Sequence, residues 1–159
     1  MVSKHFEDIK IKFIEDTDTR IKIVAEPFDR GYAVTIGNAL RRTLMTSVPG
    51  AAITSIKIDG VQHEFSSIDG VLEDVSDIIL NMKEVIFKTI NDGPEQIHLS
   101  LKGPMEFKAK EIGNLLNDFE VLNPNHLIAT LNDKATIDID VRVSRGRGYY
   151  AANKNKRSD

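Results

Sequence analysis

Cysteine is absent from the 159 residues, which removes disulfides and thiolate metal sites and is compatible with a reducing cytoplasm. No apolar run approaches the roughly 20 residues of a membrane span. The opening Met1-Val2-Ser3-Lys4-His5-Phe6-Glu7-Asp8 has no apolar core of a secretory signal. No internal repeat or low-complexity tract is present. There is no large excess of one charge either: a net charge of −3 argues against a chain whose whole surface grips nucleic acid. The strings of common catalysts are missing: no Gly-x-Ser-x-Gly, Walker A or Gly-x-Gly-x-x-Gly occurs. His5, His63, His98 and His126 lie far apart, and Ser67 stands where a zinc-protease motif begun at His63-Glu64 needs its second histidine. Each histidine reads as structural or solvated. Glu73-Asp74 imitates a magnesium site, but adjacent carboxylates on a helix more often face water, and no cluster suited to paired metals is visible. No catalytic residue, metal site or cofactor is therefore expected.

What is there suits one domain or two small ones, with 41% apolar residues for a core and 28% charged residues for an ordinary soluble surface. The chain is organised around residues 26–50. Pro27 cannot donate to a sheet, so a strand should end near it. Val34, Ile36, Ala39, Leu40, Thr43, Leu44 and Val48 then recur at helical spacing, and Pro49-Gly50 ends the pattern. The spacing predicts a helix over roughly residues 31–47. Gly37 and Asn38 in its middle each cost up to about 1 kcal/mol against Ala, and a glycine there suggests a close neighbour. Arg41 and Arg42 point about 100° apart on the wheel. They are either a solvated pair beside a core stripe or a docking element.

Alternation over Ile9, Ile11 and Phe13, and again over Ile21, Ile23 and Ala25, predicts a half-buried hairpin. A strand is expected over Ala52–Ile58, turning at Asp59-Gly60 into a return strand over Val61–Phe65. Apolar positions from Ile68 to Met82 predict a second amphipathic helix capped by Ser66 or Ser67. Two further hairpins are expected, Val85–Ile90 with Gln96–Leu101 and His126–Leu131 with Ala135–Val143. Ala109–Asn117 reads as either short helix or loop. From Arg145 the periodicity is lost, and Arg145, Arg147, Lys154, Lys156 and Arg157 make a basic end. The class is α+β with two principal helices. The Arg145-Gly146-Arg147-Gly148-Tyr149-Tyr150 segment admits a nucleic-acid reading, since arginine binds phosphates and tyrosine stacks on bases. It equally suits a loose terminus.

Asp29-Arg30-Gly31 followed by Thr35-Ile36-Gly37-Asn38-Ala39-Leu40-Arg41-Arg42 resembles the signature of the bacterial DNA-directed RNA polymerase alpha subunit. Ile58–Phe65, Gly70–Val75 and Asn81-Met82-Lys83 are similar to the same family, as is Val141–Tyr149, so the resemblance spans nearly the whole chain. It implies a partial dimerisation domain (hairpin plus helix) at 1–50, a mostly β insert domain with one further main helix at 51–150, and a flexible basic tail at 151–159. It implies a scaffold without catalytic residues: two alpha subunits form a homodimer that recruits the beta and beta-prime subunits of the cytoplasmic transcribing enzyme. The family match carries Arg42, Met45 and Asp77 to beta docking, Lys83 to beta-prime docking, and Leu40 and Leu44 to the dimer interface. Arg145 and Arg147 become a contact loop for the large subunits. Without the family, Asp77 and Lys83 are ordinary solvated charges. The rest of the dimerisation domain and the DNA-binding carboxy-terminal domain do not follow, so the chain reads as a shortened form that touches DNA only through the assembled enzyme. Uncovered apolar surface on the first hairpin and helix is expected to produce self-association or marginal stability. A stand-alone nucleic-acid-binding module using the basic tail is the alternative, and a small hydrolase is a weaker one.

Overall fold

The computed structural model describes residues 9–17 and 20–155, the side chain of Lys154 excepted. His5, Lys156 and Arg157 lie outside the described residues, as does part of the Asp16–Thr19 turn. Contacts divide the chain into two units, Met1–Thr46 and Ser47–Asp159.

In the first unit, β1 (Lys10–Asp16) and β2 (Ile21–Glu26) form the expected antiparallel hairpin, with Lys10 opposite Glu26. A register shift between Phe13 and Glu15 interrupts the pairing. Helix α1 (Tyr32–Ser47) follows, close to its predicted span. Burial departs from expectation. Ile11, Phe13, Ile21 and Ile23 are exposed rather than half-buried, and no residue of α1 is buried. A two-stranded ribbon and one helix make too few layers to enclose a core. Gly37, expected to have a close neighbour, would carry an added Cβ into open space.

The second unit holds β3 (Pro49–Ile58), α2 (Val75–Lys83), β4 (Phe87–Thr89), β5 (Glu95–Lys102), β6 (Met105–Lys108), α3 (Ala109–Gly113), β7 (Phe119–Val121), β8 (Leu127–Leu131), β9 (Thr136–Arg147) and α4 (Ala152–Asn155). A five-stranded sheet runs β5-β9-β3-β4-β7, and β6 pairs with β8 in a smaller ribbon. Strand alternation builds the core from one face. Ile97, Leu99 and Leu101 of β5 and Ile137, Ile139, Val141 and Val143 of β9 are buried, while the residues between them are more exposed. Ile78 and Met82 of α2, Ile112 of α3 and Ile128 of β8 join them in one cluster. Phe87 and Phe119 meet edge-on at 6.5 Å between ring centres.

The mixed helix-and-strand class stands, but several local pairings differ. Val61–Phe65 is not a return strand, because β3 is flanked by β9 and β4 instead. The second helix begins at Val75, and its cap is Asp74, whose side chain accepts the Asp77 N–H at 2.8 Å. Gly70 at φ +83° breaks the apolar periodicity before it. Val71 there bridges to Leu131 and Leu72 N–H donates to Thr130, so this stretch is bound to β8. β4 pairs with β3 and β7 rather than β5, and β8 and β9 pair elsewhere rather than with each other. Alternation reveals which face of a strand is buried, not which strand lies beside it. β6 and β7 were not foreseen; at four and three residues they are too short to show a period. Ala109–Asn117 resolves into the short helix α3. The burial alternation does end by Arg145, as expected, but the strand outlasts it: β9 carries its pairing to Arg147, opposite Pro49. The tail expected to be loose contains the four-residue α4, which packs on β3.

Candidate docking surfaces

On α1, Leu40 and Leu44 lie one turn apart and are 53% and 62% exposed. Arg42 is also exposed, and its side chain has no hydrogen bond or ion pair among the described residues. Its backbone carbonyl accepts the Thr46 hydroxyl at 2.7 Å. Met45 is exposed too, and its sulfur accepts a 3.8 Å contact from the Arg41 guanidinium. The adjacent arginines therefore divide: Arg41 lies along its own helix, while Arg42 is free for an external carboxylate or carbonyl. A helix that presents leucines and an unpaired arginine, with nothing of its own buried, has the makings of an interface.

Asp77 and Lys83 sit at opposite ends of α2, an acid in its first turn and a base in its last, as the helix dipole favours. Both are exposed. The structure brings neither to the other. Lys83 instead rims a groove of about 460 Å³ whose apolar lining includes Ile53, Ile56, Ile79, Leu80 and Met82, with Glu64 and Ser76 also bordering it. Ser76 Oγ donates to the Glu64 carbonyl at 2.7 Å, tying the start of α2 to the preceding loop. Phe65 and Leu72 on that loop are among the most exposed apolar side chains of the unit.

Arg145 and Arg147 stand at the end of β9. Together with Arg142, Pro49 and the Asp92-Gly93-Pro94 turn they line a cleft of about 560 Å³. Arg145 is ion-paired to Asp92. The turn is held from behind. The Ile90 N–H donates to the Asp118 carbonyl at 2.8 Å, and Glu95 accepts both the Asn117 N–H at 2.9 Å and the Asp118 N–H at 3.0 Å. Burial raises the Glu95 pKa, but the hydrogen bonds from Asp118 and Asn117 outweigh it and leave the carboxyl below its ordinary value. Arg142 and Asp92 escaped the sequence reading. The signal for Arg142 was the strand alternation itself, which sets it between the core residues Val141 and Val143 and so on the opposite face; for Asp92, a turn residue distant in sequence, there was none.

The histidines divide among local partners. His63 Nδ1 lies 3.2 Å from Ser66 Oγ, His98 Nδ1 lies 2.9 Å from Asp140, and His126 Nε2 lies 2.9 Å from the Asn81 carbonyl. No group of three or more histidines and acids suited to a metal occurs among the described residues. No helix among them is long and apolar enough to cross a membrane.

Residues 56–159 match the family described as the RNA polymerase Rpb3/RpoA insert domain. The chain is 58% identical over 135 residues to the DNA-directed RNA polymerase subunit alpha of Chloroherpeton thalassium, covering 85% of this chain and 41% of that protein. It is 50% identical over 145 residues to the subunit of the same name from Salinibacter ruber, covering 91% and 44%. Against that of Prosthecochloris aestuarii it is 49% identical over 150 residues, covering 94% and 46%. The chain thus spans less than half the length of these relatives.

Proposed function

The chain belongs to the RNA polymerase Rpb3/RpoA insert domain family, and from that premise we propose that it is the scaffolding part of a DNA-directed RNA polymerase alpha subunit. The observation that carries this reading is the pairing of a well-enclosed insert unit with a helix and hairpin that bury nothing of their own. Such a first unit is suited to be completed by partners. In this reading residues 1–50 supply part of a dimerisation domain, 51–150 the insert domain and 151–159 a basic tail. Leu40 and Leu44 meet a second alpha copy. Arg42, Met45 and Asp77 meet the beta subunit, and Lys83 meets beta-prime. Arg145 and Arg147 touch the large subunits. The chain acts in the cytoplasm as a non-catalytic subunit of a nucleotidyltransferase, and reaches DNA through the assembled enzyme. Nothing among the relatives favours the stand-alone nucleic-acid module.

Co-purification with a purified beta subunit tests the reading, comparing this chain with Arg42→Ala. Capture by the chain and at least tenfold loss in the variant is the expected result, the order of one interface hot spot at about 2 kcal/mol. Equal capture by both moves the docking surface off Arg42. Capture by neither this chain nor a full-length alpha subunit of a relative overturns the scaffold role.

A further inference from the structure

β9 runs past the start of β5. Glu95 faces Val143, so Ser144–Arg147 pair on one side with Pro49–Ala52 of β3 and have no strand on the other among the described residues. In an antiparallel sheet alternate residues direct their N–H and C=O groups to a given side. This short edge therefore carries backbone donors and acceptors that no strand satisfies, of the kind a second chain can use. Where β5 would continue, the Asp92-Gly93-Pro94 turn leaves the sheet and opens the arginine-lined cleft. Asp92 occupies Arg145. Neither Arg142 nor Arg147 has an acidic partner among the described residues.

We infer that this edge is a strand-addition site for an extended acidic segment of a protein partner. The segment continues the sheet beyond β5, its backbone bonding to Ser144–Arg147 and its carboxylates to Arg145 and Arg147, which alternation places on the same face of β9. Four residues of strand span about 13 Å, enough for two side chains on one face. The occupant is a peptide rather than a nucleic acid because a phosphate backbone only accepts hydrogen bonds and cannot serve the edge carbonyls. Asp92 competes internally: in the free chain it holds Arg145, and an incoming carboxylate exchanges with it. The inference rests on the scaffold reading for the partner, a large polymerase subunit. The edge itself rests on the geometry.

The test is backbone-amide NMR of the full chain titrated with a short peptide of alternating threonine and glutamate. Shifts should concentrate at Ser144–Arg147. The double variant Arg145→Gln, Arg147→Gln should bind about tenfold more weakly, as expected for two surface ion pairs, and Asp92→Asn should bind more tightly. A threonine–lysine peptide should not bind. Shifts spread elsewhere, equal binding by the lysine peptide, or an all-thymidine DNA strand matching the acidic peptide at the same amides would each overturn the inference. Capture of the large subunits separates the two readings. Peptide binding at the edge with no capture of either subunit, by this chain or by a full-length alpha subunit of a relative, keeps the edge and removes the scaffold reading. Capture without any shift at Ser144–Arg147 removes the edge alone.

Discussion

A single missing methyl group governs one of the tightest places in the second unit. A Cβ built on Gly103 would lie 1.7 Å from the Asn132 carbonyl oxygen, and that oxygen belongs to backbone that cannot swing aside. Gly103→Ala should therefore destabilise the unit by about 3 kcal/mol, the upper range of overpacking, seen as a lower urea midpoint with an unchanged slope. A loss under about 0.5 kcal/mol would mean that the turn at Asn132 yields freely. Glu95 governs the neighbouring end of the sheet differently. Its folded pKa is depressed below the ordinary 4.5, burial being outweighed by hydrogen bonds from Asp118 and Asn117. A depressed acid contributes its stability fully above the unfolded value and loses it as pH falls through the folded one. Glu95→Gln should cost about 1 kcal/mol at neutral pH, a figure discounted for solvent screening at this surface site. The gap from the parent chain should close in urea titrations carried below pH 4.5; a gap that stays constant with pH would show that charge is irrelevant there.

Among the elements, α2 is the one whose beginning separates sequence pattern from physical cause. Asp74 accepts the Asp77 N–H at 2.8 Å and caps the helix. Asp74→Ala should cost about 1 kcal/mol, and Ser67→Ala, at a position the sequence offered as a cap, should cost nothing measurable. Thermal melts of the two variants decide between them. The apolar period from Ile68 to Met82 was real, but its first half serves another purpose: Val71 and Leu72 attach to β8 while Gly70 turns the chain. Periodicity reports burial on one side and is silent about which backbone partner provides it. The same limit explains the strands. The alternation of β5 and β9 was legible, yet β9 lies between β5 and β3, a pairing between residues about 40 and 90 positions apart that local turn signals such as Asp59-Gly60 cannot announce. The hairpin of β1 and β2 was legible because its partners are adjacent in sequence. Sites followed the same rule. Arg42 and Arg145 could be picked out as candidates on one stretch and Lys83 only through the family resemblance, whereas the cleft that joins Arg142 to Asp92 exists only once the sheet is built.

For the molecule as a whole, the contrast between its units sets the expectation. The second unit encloses a continuous core, while in the first no described residue is buried. A first unit of this kind gains little from its own contacts, and self-association is the natural way to remove Leu40 and Leu44 from water. Gly37 gives this idea a sharp test. It lies seven residues before Leu44, about 20° from it on the helical wheel, so it shares the stripe of the two leucines. In the single chain its added Cβ meets nothing within 4 Å, and Gly37→Ala should strengthen the helix by about 1 kcal/mol through propensity alone. If a second copy packs its helix on this stripe, the glycine is where the two backbones approach most closely, and the same methyl group holds them apart. The expected result is a divided one: higher helicity by circular dichroism, with a dimer about tenfold weaker by sedimentation equilibrium, which corresponds to about 1.4 kcal/mol of lost packing. Higher helicity with equal or tighter association would move the contact to another face of α1. A parent chain that stays monomeric at high concentration would remove self-association as the way this helix is covered.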